Sequence, residues 1–344
     1  MKSSALENLL ERKEKYRNEV LSLIKKPGNK VAYHFNCPDG IISASIIRYV
    51  FSSKDLIFIP FDYALFKDEE ISNEISKTEW FAIVDLEPFD SDSIKYFFDH
   101  HISNKDKEMN AEHVHFVSGA PCAASLIEKS FSSQIPDYIR ELVKISEITD
   151  TASYKIPAPL DLQDNPSKLT WDEKIWFLED VCKTTFSINN HNELIAILTF
   201  EGWDGLWKTN LLQRVKNLRQ TRKKSVEIAK KIEIEDFVII IDHPLHYNLT
   251  FMAREVMKRE AVGVAYLTVY PTEVKVSFRL NKSLTSNQIE KYRVDFLAKS
   301  MSGGGHKGAS GAEAEDLDNV LDKIKNWAQK IGLKVSIADL RKMK

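Results

Sequence analysis

The chain has 344 residues, with 48 Lys and Arg, 50 Asp and Glu, and a formal net charge of −2. Because domains typically hold about 100 to 200 residues, this length predicts two domains, each large enough to bury its own core. The near balance of charge excludes a protein that is cationic over its whole surface, so contact with nucleic acid would require a local basic patch.

The N-terminal segment, residues 1–26, carries apolar residues at helical spacing without the apolar core of a signal peptide, and it predicts an amphipathic packing helix. No apolar run approaches the length of about 18 to 20 residues that crosses a bilayer, so we expect no membrane partner. The cysteines Cys37, Cys122 and Cys182 have no paired spacing and are typical of a reducing compartment. These features predict a cytoplasmic protein.

A strand and a helix follow the break at Pro27 and Gly28: "KVAYHF" (30–35) predicts the strand and "DGIISASIIRYVF" (39–51) predicts the helix. Further short apolar runs predict strands at 56–61, 81–86, 96–100 and 113–117. This alternation predicts a parallel α/β sheet. Ligands of such sheets gather beyond the carboxyl ends of the strands, which is where the pattern puts His34, Asp85, Asp99 and His100.

Residues from about 120 to 230 have a helical pattern without a strand signal, and the pattern ends in a Lys- and Arg-rich segment that predicts a helical connector. A second series of elements then predicts a smaller α/β domain, with strands at 236–243, 263–270, 273–280 and 333–338 and helices near 249–260 and 315–331. The predicted domains are 1–205, with the N-terminal helix and a helical insertion, the connector 206–235, and 236–344.

Metal-competent side chains recur at the predicted strand ends and in the turns near them: His34, Asp39, Asp85, His100 and Asp150. Mixed imidazole and carboxylate ligands suit a borderline divalent ion such as Mn²⁺. Two ions about 3.5 to 4 Å apart can activate a water against a phosphoryl group, so this donor set favours phosphoester hydrolysis. Taken singly, an Asp at a strand end is typical of a helix cap, and a His on an apolar strand is typical of a hydrogen-bonded core residue.

Ordered motifs give the chain its resemblance to a known family: "HFNCPDGIISA" (34–44), "VDL" (84–86), "DHH" (99–101), the weaker "ITD" (148–150) and "SMSGGGHKGASGA" (300–312). Over nearly the whole chain they resemble the DHH phosphoesterase superfamily, in the subgroup with a DHH-associated C-terminal domain. A DHH tripeptide alone is weak evidence, whereas DHH with a downstream GGGH is specific. The resemblance implies an N-terminal parallel-sheet domain joined by a helical connector to a smaller C-terminal α/β domain.

The resemblance also implies roles for the residues of the first domain. His34, Asp39, Asp85, His100 and Asp150 would hold two Mn²⁺ ions, or Mg²⁺ or another divalent metal, with Asp85 bridging them. Asp99 would orient an adjacent imidazole, and His101 would lie against the scissile phosphate. Asp99 and His101 are therefore the predicted catalytic residues.

The first motif departs from the family at Cys37. The family commonly has two aspartates two positions apart, and aligning "DGIISA" on the second leaves Cys37 in the place of the first. Cys37 is a candidate soft ligand, Asn36 is another, and a weaker first site that selects a different ion is a third possibility. Cys37 as a packing residue is an equal alternative, since free Cys is often buried.

The glycine-rich segment of the second domain, Gly303, Gly304, Gly305 and His306, offers backbone amides to a close ligand and predicts a phosphate cradle. A flexible turn is the alternative for an isolated triple glycine. In the family this loop and an arginine on a neighbouring strand grip the phosphate and nucleotide of the substrate, which points to Arg279. Ser302 stands where the family has a fourth glycine, a mild departure.

These observations predict a manganese-dependent phosphodiesterase of the exonuclease or oligoribonuclease type, acting on short single-stranded RNA or DNA or on nucleotides held in a cleft between the domains. The alternatives are a hydrolase of cyclic dinucleotides or of adenosine 3',5'-bisphosphate, and a catalytically inactive nucleotide-binding module. Trp171, Trp176, Trp203 and Trp207 are candidates for base stacking, although core packing is the more common role of Trp. A homodimer is a candidate assembly.

Overall fold

The computed structural model describes residues 3–91, 93–162, 165, 168–208, 211–244 and 247–342. The chain forms two compact units, one of Ser3–Leu218 and one that begins at Arg219. The boundary lies inside helix α9 (Leu211–Ala229) and within the segment 206–235 predicted as a connector.

The first unit is built on a five-stranded sheet in the order β2-β1-β3-β4-β5, in which every neighbouring pair is parallel. Its strands are β1 (Asn29–His34), β2 (Leu56–Phe61), β3 (Trp80–Val84), β4 (Ile94–Asp99) and β5 (His113–Phe116). All residues of β3 are buried, as is typical of a central parallel strand that is covered on both faces. The predicted parallel α/β sheet is confirmed.

Helices cover both faces of this sheet: α1 (Ser3–Lys25), α2 (Pro38–Val50), α3 (Glu69–Ser76), α4 (Ala123–Ser130), α5 (Asp137–Asp150), α6 (Trp171–Lys183), α7 (Ile188–Phe200) and the short α8 (Gly202–Gly205). Because side chains of a strand alternate between faces, Val31 and Tyr33 join the core cluster under α2, whereas Ala32 joins the cluster under α1 and α3. Among the described residues, no helix is long and apolar enough to cross a membrane.

The second unit contains a six-stranded mixed sheet in the order β11-β6-β7-β8-β10-β9. Its strands are β6 (Phe237–Asp242), β7 (Gly263–Val269), β8 (Val274–Leu280), β9 (Gly304–His306), β10 (Ala309–Ala314) and β11 (Val335–Asp339), and its helices after α9 are α10 (Leu249–Lys258), α11 (Ser286–Lys291), α12 (Val294–Lys299) and α13 (Leu317–Lys330). The α/β class predicted for this domain is confirmed. The glycine-rich segment is a short hairpin of β9 and β10 and not an irregular loop.

Candidate metal centre

The polar residues of the first unit converge because their strands end at the same edge of the sheet. His34 is the last residue of β1, Asp85 directly follows β3, and His100 directly follows β4. Strand β1 lies between β2 and β3, so the connections reverse direction here. In open α/β sheets this reversal opens a crevice at the carboxyl ends of the strands, where ligands bind.

His100 presents one ring nitrogen to three carboxylates. Its Nδ1 lies 2.9 Å from the carbonyl oxygen of Ala120, so Nδ1 carries a proton and donates it. Its Nε2 lies 3.8 Å from Asp39 Oδ2, 3.7 Å from Asp85 Oδ1 and 3.4 Å from Asp150 Oδ2. Nε2 is buried and has no hydrogen-bond partner among the described residues. This arrangement attracts a cation, whether a proton on Nε2 or a metal ion in its place.

The pKa values of these groups follow from their burial and mutual attraction. Burial lowers the pKa of His100, but Asp85, Asp39 and Asp150 outweigh it and raise that pKa to about 9. Burial raises the pKa of Asp85, but contacts with His100 and His34 outweigh it and lower that pKa to about 2. Asp85 therefore stays ionised and is the strongest anionic donor of the group.

Asp85 occupies an unfavourable backbone conformation to reach this position. Its φ is +56°, in the left-handed region that few residues other than glycine adopt. Its Oδ2 lies 3.3 Å from His34 Nδ1, whereas its Oδ1 is buried without a hydrogen-bond partner in the described structure. Strain and an unpaired oxygen are both costly, and such features cluster at sites that bind a ligand.

Asp39 is held in place by the start of α4. It lies in the first turn of α2, and its carboxylate accepts hydrogen bonds from the amides of Ala123 at 2.7 Å and Ala124 at 2.9 Å and from Ser146 Oγ at 2.8 Å. Burial, and then the charge of Asp85, raise the pKa of Asp39 to about 8, although the amide bonds oppose this. A divalent ion beside this fixed carboxylate would favour its ionised form.

Asp150 completes the group from the last residue of α5. Its side chain is 23% exposed, and burial raises its pKa. The negative end of the α5 helix dipole lies at the same point and also favours a cation. Carboxylate oxygens of Asp39, Asp85 and Asp150 with one imidazole form a donor set that fits Mn²⁺ or Mg²⁺.

Asp99 and His101 form a separate pair. Asp99 Oδ1 lies 2.7 Å from His101 Nδ1, and Asp99 Oδ2 accepts a hydrogen bond from Asn104 Nδ2 at 2.9 Å. Asp99 raises the pKa of His101. Because Nδ1 is directed at Asp99, the other nitrogen of this ring, whose side chain is 33% exposed, remains available to a ligand.

Two residues of this centre were missed in the sequence. Asn104 is buried and fixes Asp99, and only the three-dimensional structure connects the two. Gly40 allows the first turn of α2 to pack on the end of β1, because a Cβ there would lie 2.3 Å from the carbonyl oxygen of His34. The Asp-Gly pair at 39–40 was the available signal for such a close approach.

Cys37 lies beside His34 and Asp85. One ligand atom from each of these three side chains lies within 4.8 Å of the others. Burial, and then the charges of Asp85 and Asp39, raise the pKa of the Cys37 thiol well above its ordinary value. The side chain of Asn36, the other candidate ligand, has different partners. With its amide turned so that the nitrogen meets acceptors, that nitrogen donates to the carbonyl oxygen of Cys182 at 3.2 Å and to His191 Nε2 at 3.3 Å.

In the second unit, Arg279 lies on β8 opposite Ala309 of β10 and is exposed. It lines a cavity of about 490 Å³ under α10. The described lining residues include Arg254, Lys258 and Lys282 as further cations and no acidic side chain. This cavity therefore attracts an anion with an apolar portion.

The three consecutive glycines have different surroundings. A Cβ at Gly303 would lie 2.1 Å from the carbonyl oxygen of Gly311, and Gly305 has a φ of +134°. A Cβ at Gly304 would meet nothing within 4 Å in the described chain. The hairpin itself therefore requires Gly303 and Gly305, whereas the space at Gly304 is open, and His306, two residues further along the strand, is exposed.

The tryptophans predicted as candidates for base stacking pack against the core. Trp176 is buried, and Trp171, Trp203 and Trp207 are partly buried against the core cluster under α2. Trp207 stacks on Phe177 with ring centroids 4.4 Å apart. Core packing therefore accounts for these residues.

Comparison with solved structures identifies the fold. A pGpG-specific phosphodiesterase, PggH from Vibrio cholerae, is 14% identical with a TM-score of 0.62, and the alignment covers 88% of this chain and 99% of that one. RecJ from Thermus thermophilus, in complex with Mn²⁺, is 13% identical with a TM-score of 0.56, covering 94% of this chain and 56% of that one. The DHH domain of a protein described as a member of a family of ribosomal proteins is 13% identical with a TM-score of 0.53, and the alignment covers 96% of this chain and 92% of that one.

The sequence itself matches no protein-family model and no curated protein. At 13 to 14% identity the three similarities show a common fold over nearly the whole chain.

Proposed function

We propose that this chain, which has the two-domain fold of the DHH superfamily, is a metal-dependent phosphoesterase that hydrolyses short oligonucleotides or nucleotides. The observation that carries the proposal is the geometry of His100, whose Nε2 faces the carboxylates of Asp39, Asp85 and Asp150 within 3.8 Å and has no hydrogen-bond partner in the described structure. A side-chain group of this kind has the composition of a divalent metal site, and phosphoester hydrolysis is the reaction that such sites commonly serve.

The proposed metal ligands are His34, Asp39, Asp85, His100 and Asp150, with Asp85 shared between two ions. Divalent ions bound there would lower the pKa of a water and neutralise charge on the phosphoryl group. Mn²⁺ is the proposed ion and Mg²⁺ is the alternative; a solved structure of RecJ contains Mn²⁺. The hydrogen bonds from Ala123, Ala124 and Ser146 keep Asp39 oriented before any ion binds.

The proposed catalytic pair is Asp99 and His101. Asp99 fixes the ring of His101 by a 2.7 Å hydrogen bond and raises its pKa, which favours the protonated ring. A protonated ring that is partly exposed beside Asp85 can contact a phosphate oxygen and supply a proton to the departing oxygen. Asn104 holds the second oxygen of Asp99 and keeps the pair aligned.

The proposed substrate-binding residues belong to the second unit. Arg279 supplies a planar guanidinium that suits a phosphate, and its cavity carries three further cations. The amides beside Gly304 and the imidazole of His306 are proposed to contact a second phosphate. Short single-stranded RNA or DNA fits this combination of charge and apolar surface, and dinucleotides are its smallest members.

The test is incubation of the whole chain with Mn²⁺ and a panel of labelled substrates: short single-stranded RNA and DNA, pGpG, cyclic dinucleotides and adenosine 3',5'-bisphosphate, with products separated by chromatography. We expect mononucleotide release from the short oligonucleotides. Asp85→Asn should lose most of this activity together with metal binding, because it removes the shared ligand. Full activity in Asp85→Asn would refute the metal assignment.

Two alternatives have an observation in their favour. A specific dinucleotide hydrolase, or one acting on cyclic dinucleotides or the bisphosphate, is favoured by the similarity to a phosphodiesterase described as pGpG-specific. A catalytically inactive nucleotide-binding module is favoured by Cys37 in the place of a family carboxylate. The substrate panel separates them, since the hydrolases would each use one substrate class, and the binding module would retain nucleotide affinity without product.

A further inference from the structure

The thiol of Cys37 lies where an ion could be bound. Ligand atoms of His34, Cys37 and Asp85 lie within 4.8 Å of one another, and Cys37 is the N-cap residue of α2. The positive end of the helix dipole lies at this residue and favours a negatively charged ligand atom, but burial and the charges of Asp85 and Asp39 disfavour the thiolate as long as no ion is bound. A cysteine alone would not define a site, but these three side chains offer sulfur, nitrogen and oxygen donors to one point.

A second observation concerns Asp85. Its side chain is 1% exposed, and its two oxygens face different sides of the centre. Oδ2 lies 3.3 Å from His34 Nδ1, whereas Oδ1, which has no hydrogen-bond partner in the described part of the chain, lies 3.7 Å from His100 Nε2 and 3.8 Å from His101 Nδ1. Oδ2 is therefore the oxygen that this carboxylate offers on the side of His34 and Cys37. Asp85 also belongs to the group with His100 and His101, so one carboxylate serves both sides of the centre.

The other side of the centre has different donors. Asp39, His100 and Asp150 supply oxygen and nitrogen atoms and no sulfur. Hard oxygen donors suit Mn²⁺ and Mg²⁺, whereas a thiolate favours softer ions such as Zn²⁺, Fe²⁺ and Co²⁺. The two halves of the centre therefore differ in the ions that they prefer.

We propose that Cys37, with His34 and Asp85, forms a thiolate-containing site that selects a borderline transition-metal ion such as Zn²⁺ or Fe²⁺ over Mn²⁺, so that the centre binds two different metals. The inference rests on the proposed function for the second ion, held by Asp39, His100 and Asp150. When the ion binds, it replaces the thiol proton of Cys37, and that proton passes to solvent. No electron transfer is involved.

The experiment uses Co²⁺ as a spectroscopic probe on the metal-free whole chain. Co²⁺ bound to a thiolate gives a sulfur-to-metal charge-transfer band in the near ultraviolet, which carboxylate and imidazole ligands do not give. We expect the band in the native chain and in Cys182→Ala, a control at a buried cysteine outside the three-residue group. We expect no band in Cys37→Ser or in Cys37→Asp.

Cys37→Asp provides the second measurement, because it restores a carboxylate. Competition titrations should show that the preference for Zn²⁺ over Mn²⁺ falls by about tenfold or more. Substitution of a residue that only hydrogen-bonds a metal ligand can already change metal affinity by about tenfold, so loss of the sulfur ligand itself should have at least this effect. Circular dichroism of both variants checks that they fold, and Cys37→Asp keeps the test valid if Cys37→Ser does not fold.

The outcomes separate this inference from the proposed function. A band that depends on Cys37 supports the thiolate site even if no substrate in the panel is cleaved. A band that persists in a folded Cys37 variant, or a native chain that hydrolyses phosphoesters with Mn²⁺ and shows no band with Co²⁺, would overturn it. An unchanged preference for Zn²⁺ over Mn²⁺ in Cys37→Asp would also overturn it.

Discussion

Asp99 and Asp85 lie in the same centre, but they contact different partners and so predict different defects. Asp99 is hydrogen-bonded to His101 and Asn104, whereas Asp85 faces His34 and His100 and lies farther from His101, at 3.8 Å from its Nδ1. A substitution of Asp99 should therefore leave the contacts of Asp85 with His34 and His100 intact. This difference can be measured as a separation of metal binding from turnover.

We expect Asp99→Asn to lower kcat by about 100-fold or more, the usual contribution of a proton-transferring group, while the number of bound Mn²⁺ ions stays unchanged. The amide cannot stabilise a protonated His101 as the carboxylate does, so the pKa of that ring should fall. Steady-state kinetics, metal analysis and NMR titration of His101 check these results. Loss of bound Mn²⁺ in Asp99→Asn would assign Asp99 to the metal ligands instead.

The stability of the metal-free chain should depend on pH through His100 and Asp39. Folding raises the pKa of His100 from 6.5 to about 9 and that of Asp39 from 3.8 to about 8. The folded state thus binds more protons than the unfolded state across these ranges, so stability falls as pH rises. In EDTA we expect Tm to decrease between pH 6.5 and pH 9.

Saturating Mn²⁺ is the control for this measurement. The ion replaces the protons on His100 and Asp39, and its affinity increases with pH because both ligands must be deprotonated to bind it. Thermal unfolding in Mn²⁺ should therefore show little decrease, or an increase, over the same range. A Tm in EDTA that is constant from pH 6.5 to pH 9 would be evidence against the convergence of these carboxylates on His100.

Among the secondary-structure elements, the hairpin of β9 and β10 contains two adjacent glycines with different surroundings: Gly303 packs closely against β10, whereas Gly304 leaves space for a ligand. We expect Gly303→Ala to destabilise the chain by about 1 to 3 kcal/mol, because its Cβ would overlap the Gly311 carbonyl oxygen. Gly304→Ala should keep the native Tm, since nothing in the described chain lies within 4 Å of its Cβ, and should raise KM for oligonucleotides. Calorimetry and kinetics on the two variants check this, and an unchanged KM in Gly304→Ala would remove this glycine from the proposed substrate contacts.

Strand positions could be predicted from the sequence because buried parallel strands are short apolar runs. Strand β2 begins and ends as predicted, at Leu56 and Phe61. Strand β3 was predicted through residue 86 but ends at Val84, because the left-handed Asp85 stops the extended conformation there. The apolar pattern of the sequence does not indicate where the backbone leaves the extended conformation.

Other elements lacked a sequence signal. Helices α11 and α12 have six residues each, which is too short for helical periodicity to stand out, and neither was predicted. The glycine-rich segment was predicted as a loop, but Gly303 and Gly305 pack closely against β10 and allow a hairpin. Similarly, motif order pointed to the residues that gather at His100, but not to the contacts of Asn104 and Gly40, which depend on distances across the fold.

At the scale of the whole molecule, metal and nucleotide should act on different parts of the chain. Hydrogen exchange with Mn²⁺ alone should slow amide exchange at the end of β1, after β3 and at the start of α4, because the ligands lie there. A non-hydrolysable oligonucleotide without metal should slow exchange in β8, β9 and β10, near Arg279 and Gly304. Equal protection of both units by Mn²⁺ alone would contradict the assignment of the metal ligands to the first unit.

Helix α9 has a practical consequence for work with parts of this protein. Leu211 and Val215, near its start, belong to the core of the first unit, whereas Ala229 at its end belongs to a core of the second. A cut at the boundary between residues 218 and 219 would leave these side chains with their own units but would divide the helix, so each half would have a new helix end with unpaired backbone groups. Separately expressed halves that each carry a full copy of residues 211–229 should therefore have a higher Tm than halves divided at this boundary.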